Sequence, residues 1–143
     1  MHYKSSVSKI YYIIFPLFMA GIFLMNYFLP SEKEKIITFA PLFVLFGGLI
    51  LFIIAIKNTK YYIEGNVLIS QVLFYKYKVN IETIRKIEYN HTIFVGTTTK
   101  LGWDTKGLIV HYNKFDDYFI SPANKEQFIA HLLQLNPNIE IKK

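Results

Sequence analysis

The sequence predicts an α+β chain: a two-helix transmembrane hairpin followed by an antiparallel β-barrel or sandwich closed by a C-terminal α-helix. Three observations predict it. Two uncharged apolar runs of spanning length stand near the N-terminus, separated by six residues. Residues 58–141 then read mostly as short strand-forming runs between turn signals, with an interrupted alternation at Ile84–Tyr89. Near the end, Phe128, Ile129, Leu132, Leu133 and Leu135 form an apolar stripe at helical spacing.

The first run covers residues 10–29, 20 residues without a charge, and the second residues 36–56, 21 residues without a charge. At ~1.5 Å per residue, either reaches across the ~30 Å hydrocarbon core. PSEKEK, residues 30–35, makes an external loop too short to do anything but return the chain to the same side. A buried-core reading fails because a chain of 143 residues leaves too little mass to cover two such helices. A cleaved signal peptide fails because the first run is too long and lacks an A-x-A-like end. Pro16 and Pro41 each remove a backbone donor and are expected to kink their helices. Ala20-Gly21 and Gly47-Gly48 permit close helix contact, and Tyr11, Tyr12 and Tyr27 sit near span ends as an aromatic belt. Neither span holds an ionisable residue, which argues against a proton relay or ion pathway.

Lys4 and Lys9 before the pair, with Lys57 and Lys60 after it, outnumber Lys33 and Lys35 in the loop. That bias puts both termini, including residues 1–9, in the cytoplasm. The expected location is the cytoplasmic membrane, as an integral multi-pass protein. The net charge of +6 is a mild, scattered excess whose nearest anionic surface is the bilayer. Cysteine is absent, so disulfides, thiolate zinc sites and cysteine nucleophiles are excluded.

Behind the hairpin, Tyr61–Glu64 and Val67–Leu73 flank Gly65-Asn66, a two-residue turn signal. Tyr77–Ile81 and Ile84–Tyr89 are further strand candidates, and Leu108–Tyr112 and Asp117–Ile120 flank the turn residues Asn113–Asp116. The closing helix has Asn124 as its cap, Gln127 as a capping-box partner and Asn136-Pro137 as its stop. Strands with one closing helix and no βαβ alternation argue against nucleotide-binding doubly wound folds.

"YYIEGNVLI", "YKVNIETIRKIEYN" and "GLIVHYNKFDDYFISPANKEQFIAHLLQLNPNIEI" together resemble the bacterial pleckstrin-homology-like (PH-like) domain of small YyaB-like membrane proteins. The resemblance covers about residues 58–141, and its most specific part runs from the last hairpin into "ISP", the polar cap, "F-I-x-x-L" and "NPNI". It implies a PH-like barrel with a C-terminal helix and no catalytic residues. It also implies a link, in some relatives, to self-immunity against a secreted antimicrobial peptide. Phosphoinositide binders of this fold carry a basic cluster between the first two strands; here that loop is Gly65-Asn66, without a base.

The crowded stretch around His111, Asp116, Asp117 and Ser121 invites a catalytic reading. Asp116-Asp117 stands in or beside a turn, Ser121 precedes Pro122 at a helix entry, and no nucleophile elbow is present. His2, His91, His111 and His131 are too widely spaced for a metal motif. "FYKYKVN" offers two lysines, too few for nucleic acid, and reads as an edge strand guarded by Lys. "GTTTKLGWDTKG", residues 96–107, holds the only Trp. Trp103 either folds back onto the barrel or contacts a partner or headgroups.

The function these readings predict is a membrane-anchored, non-catalytic PH-like interaction module at the cytoplasmic face, binding a protein or peptide partner, with bacteriocin self-immunity as one form. The alternative is a lipid- or small-ligand-sensing domain. Trp103, Lys100, Lys57 and Lys60 are the expected partner or membrane contacts, with no catalytic, metal or cofactor residues and no nucleic-acid partner.

Overall fold

The structure, a computed structural model, describes residues 2–28, 32–92 and 94–143, with the backbone alone for residues 25–26 and 32–43. The chain divides into two compact units: Met1–Ser8 with Ala55–Lys143, and Lys9–Ile54.

The apolar unit holds α1 (Tyr11–Tyr27) and most of α2 (Glu32–Asn58). The Lys9 and Ile10 carbonyls accept the amides of Tyr12, Ile13 and Ile14, so these donors of the first turn of α1 are satisfied without a polar cap. Pro16 lies inside α1, as expected, while Pro41 lies outside the residues whose side chains are described. Phe52 of α2 meets Tyr11 at 5.6 Å and Phe15 at 5.8 Å between ring centroids, so the two helices pack on each other through aromatics.

Two expectations change here. Among the described residues, no helix is long and apolar enough to cross a membrane. α1 has 17 residues, not the 20 expected from the run 10–29, and so reaches only ~26 Å at helical rise. α2 begins at Glu32, so Glu32–Lys35 belong to the helix instead of forming the expected external loop. Residues 29–31 and the side chains of Lys33 and Lys35 lie outside the described residues.

The other unit is a pair of sheets with a helix. Its first sheet has the order β1-β2-β3-β4, from His2–Lys4, Lys60–Glu64, Val67–Val72 and Tyr75–Asn80, all antiparallel. Gly65 turns β2 into β3 with φ +57, a conformation open to glycine at little cost. A single 3-10 turn, Ile81–Thr83, leads from β4 to β5 (Ile84–Tyr89). The second sheet has the order β6-β8-β7-β5-β9, from Thr99–Lys100, Asp116–Ile120, Leu108–Tyr112, β5 and Glu140–Lys142. β6 and β9 pair in parallel, each on an edge.

Both sheets and α3 (Lys125–Leu135) feed one core. Tyr61, Leu68 and Val79 come from the first sheet, Ile87, Val110 and Ile120 from the second, and Phe128 and Leu132 from α3. Of the stripe read from the sequence, α3 buries Phe128, Ile129 and Leu132 and half-buries Leu133, while Leu135 is exposed. Its cap is a different matter: Asn124 accepts the Phe128 amide with its backbone carbonyl, while its side chain donates to Gln127 Oε1 at 3.4 Å and caps no amide.

The N-terminal segment is not a free tail. β1 pairs with β2 in the register Tyr3↔Tyr61, and Ser5 and Val7 bridge to Pro122 and Trp103. The domain expected at residues 58–141 therefore also includes residues 2–8.

Candidate functional site

Three distant stretches meet at Ser121. Its hydroxyl accepts the backbone amides of Trp103 at 3.0 Å and Asp104 at 3.3 Å, lies 2.9 Å from Ser5 Oγ, and donates to the Ser6 carbonyl at 3.2 Å. The buried Tyr61 hydroxyl donates to the Leu101 carbonyl at 2.7 Å and accepts the Ser121 amide at 3.1 Å. Burial pushes the Tyr61 phenol up, so it stays a neutral donor. This network joins the N-terminal segment, the 96–107 loop and the end of β8. It spends Ser121 on structure: no imidazole or carboxylate partners its oxygen among the described residues.

His111 pairs in register with Asp117, four residues along β7 from the Ser121 end, or about 13 Å. Its Nε2 instead faces Glu88 at 3.8 Å, in a cluster where Glu88 takes Lys86 at 2.8 Å and Lys142 at 3.6 Å. The Lys86 hydrogen bond holds the Glu88 carboxyl below its ordinary value. Burial, then Lys86, pushes the His111 imidazole down. Asp116 accepts from Asn113 Nδ2 at 2.9 Å, the turn role its position implied. The stretch that looked like an active site is a strand pair and a helix entry. Among the described residues no three His, Asp or Glu side chains converge as metal ligands.

Of the four expected contact residues, Trp103 folds back. Its indole Nε1 donates to Thr59 Oγ1 at 2.7 Å, and Thr59 donates on to the Ala55 carbonyl at 2.7 Å in the last turns of α2. The ring is thus committed to the point where the chain leaves α2. Lys57, Lys60 and Lys100 are exposed. Lys100 lies in β6, on the edge of the second sheet, and is not in the sheet that carries Lys60.

Lys60 does belong to a set, and the sequence did not reveal it. The registers Lys4↔Lys60, Lys60↔Gln71 and Gln71↔Lys76 make one rung across all four strands of the first sheet. The neighbouring rung, Tyr3–Tyr61–Ser70–Tyr77, faces the core, so the lysine rung faces outward. All three lysines are exposed, and none enters an ion pair among the described residues. Just beyond stands the Leu73-Phe74 turn, with Phe74 98% exposed and Tyr75 58% exposed. Leu73 is held at φ 54, a left-handed conformation that costs a branched residue about 1 kcal/mol or more. Phe74, between two strand candidates, was the one available signal; the lysines align only once the register is known.

A second feature is a polar groove of about 570 Å³ at the start of α3, lined by Ser6, Tyr89, Asp104 and residues 123–127. Asp104 accepts from Ser6 Oγ there at 2.8 Å, and burial lowers the Lys125 ammonium. The groove offers hydrogen-bonding groups of both signs to a ligand or partner.

No curated protein and no solved structure matches the chain. A family profile described as Bacterial PH domain matches residues 59–136, from Thr59 at the exit of α2 to Asn136 at the end of α3. That match spans more than half of the 143 residues and holds β2 to β8, α3 and every residue of the buried core cluster except Tyr3 and Ile139. Domains of this type are generally non-catalytic interaction modules. With both sheets, the closing helix and the matched span in agreement, the chain belongs to the bacterial PH domain family.

Proposed function

We propose that the protein is a membrane-anchored interaction module: its apolar helices sit in the bilayer and hold the PH domain at the cytoplasmic face, where it binds a protein or peptide partner. The observation that carries this reading is the return of the chain. Residues 2–8 and 55–143 build one domain, and the intervening stretch is apolar and water-averse. Leu17 is 66% exposed, Phe23 75% and Leu51 63%, far more apolar surface than a water-soluble helix pair leaves bare. The 17 residues of α1 lie at the lower end of the spanning range, and residues 36–56 within α2 carry no charge. A peptide partner would include an antimicrobial peptide, in keeping with the YyaB-like resemblance, and the groove at the start of α3 has the polar lining to receive one.

Alkaline carbonate extraction of cell membranes tests the anchor. The full chain is expected to stay in the pellet, and Leu17→Lys combined with Leu51→Lys to move it toward the supernatant, since a lysine at mid-span costs about 3 kcal/mol. Recovery of the unaltered chain in the supernatant overturns the anchor.

A further inference from the structure

We infer that the end of the first sheet at which the chain leaves α2 is a docking rim for an anionic lipid surface. Lys4, Lys60 and Lys76 hold the phosphate-bearing headgroups, and Phe74 and Tyr75 enter the interfacial layer. The inference rests on the proposed anchor only for the position of the rim, because Lys60 follows the last residue of α2 by two positions.

The argument is electrostatic and geometric. Neighbouring strands lie ~4.8 Å apart, so Lys4, Lys60 and Lys76 present three positive charges within ~15 Å. That is within about two Debye lengths at physiological salt, and like charges so placed repel. No acid stands in this rung or in the next one on the same face, His2–Tyr62–Ile69–Lys78, where Tyr62 and Ile69 are buried and the exposed Lys78 adds a fourth lysine. A sheet of anionic headgroups relieves that repulsion, and its charge is spread over the width of a rung as a single bound ion's is not. The exposed Phe74 suits the same occupant. A phenyl ring left almost wholly in water at a hairpin tip gains by entering the headgroup layer, and its lysine neighbours set the depth. The opposite end of the sheet, at Gly65-Asn66, carries Glu64 and no base, so the sheet has one lipid-seeking end. Docking by this rim would fix the domain against the bilayer and leave the groove at the start of α3 for a partner.

The chain has no cysteine, so Phe74→Cys takes a single environment-sensitive fluorophore. The full chain is reconstituted in nanodiscs of phosphatidylcholine with and without phosphatidylglycerol. The expected result is blue-shifted emission only with phosphatidylglycerol, reversed in ~1 M salt. The docking equilibrium should fall about fivefold for each of Lys4→Gln, Lys60→Gln and Lys76→Gln, and hold for Lys106→Gln and Lys142→Gln. Emission indifferent to lipid charge, or equally affected by the control lysines, overturns the rim. Emission that shifts only when RNA or another protein is added assigns the patch to that partner and also overturns it. Failures of rim and anchor separate cleanly. A chain retained after carbonate with lipid-indifferent emission loses the rim alone. A chain released by carbonate is mixed with vesicles of both compositions: flotation with the anionic ones alone keeps the rim and loses the anchor, and any other pattern loses both.

Discussion

At the scale of the residue, His111 shows how burial decides what a suggestive side chain does. The imidazole stands among Lys86, Glu88, Asp117 and Arg85, and burial outweighs all of them in pushing its pKa down. The folded state therefore binds its proton less readily than the unfolded chain, whose value is near 6.5. Stability is full above that value, falls as pH drops through it, and levels off below the folded pKa. Glu88, also lowered, makes its contribution above 4.5 and loses it only at lower pH. The unfolding midpoint of the full chain in detergent should thus decline as pH falls below about 7, and His111→Gln should flatten that decline; an unchanged slope would show that another group titrates there. Neither His111 nor Ser121 was hidden in the sequence. What the sequence could not show was their occupants: Ser121 is filled by Ser5 and two loop amides from 115 or so residues and 17–18 residues away, and no local pattern encodes such a meeting.

At the scale of the element, the legible pieces were those with their own period or punctuation. β2 and β3 announce themselves as strand-forming runs around the Gly65-Asn66 turn, and α3 by its stripe, because each carries its signal within a dozen residues. β1, β6 and β9 have three, two and three residues, too few for a period, and exist only because a longer strand offers them an edge. β4 begins at Tyr75 because Val72 pairs with it across a two-residue turn, so Leu73 leaves the strand assigned to it and Phe74 becomes a tip. β1 is the most consequential of the short strands. It delivers Tyr3, 5% exposed, edge-on to Phe128 at 5.2 Å, with its hydroxyl 3.2 Å from His131 Nδ1. Tyr3→Ala should cost roughly 3–4 kcal/mol, and Tyr3→Phe about 1 kcal/mol, in denaturant unfolding of the full chain. Near-equal small losses for both would mean that the N-terminal strand contributes no core packing.

At the scale of the whole molecule, the two ends of the chain belong to one domain, and this constrains topology more tightly than charge counting. β1 pairs with β2, so an apolar unit that enters the bilayer after Ser8 must come back out on the same side before Lys60. Under the proposed anchor the crossings are even in number, and the lysine bias is the expected determinant of the side. Composition alone made the apolar half visible but misjudged its helix ends, because uncharged residues do not mark where hydrogen bonding stops and charged ones do not prevent a helix from starting. The absence of cysteine again makes the test direct. With a membrane-impermeant maleimide on intact cells, Ser31→Cys should label at once and Lys143→Cys only after permeabilisation. The reverse pattern would invert the protein and put the lysine rim on the outer leaflet. Labelling of neither before permeabilisation would mean that the helices lie on the cytoplasmic face without crossing. Labelling of both from outside would place the domain and position 31 on the same exterior surface, and would remove the crossing as well.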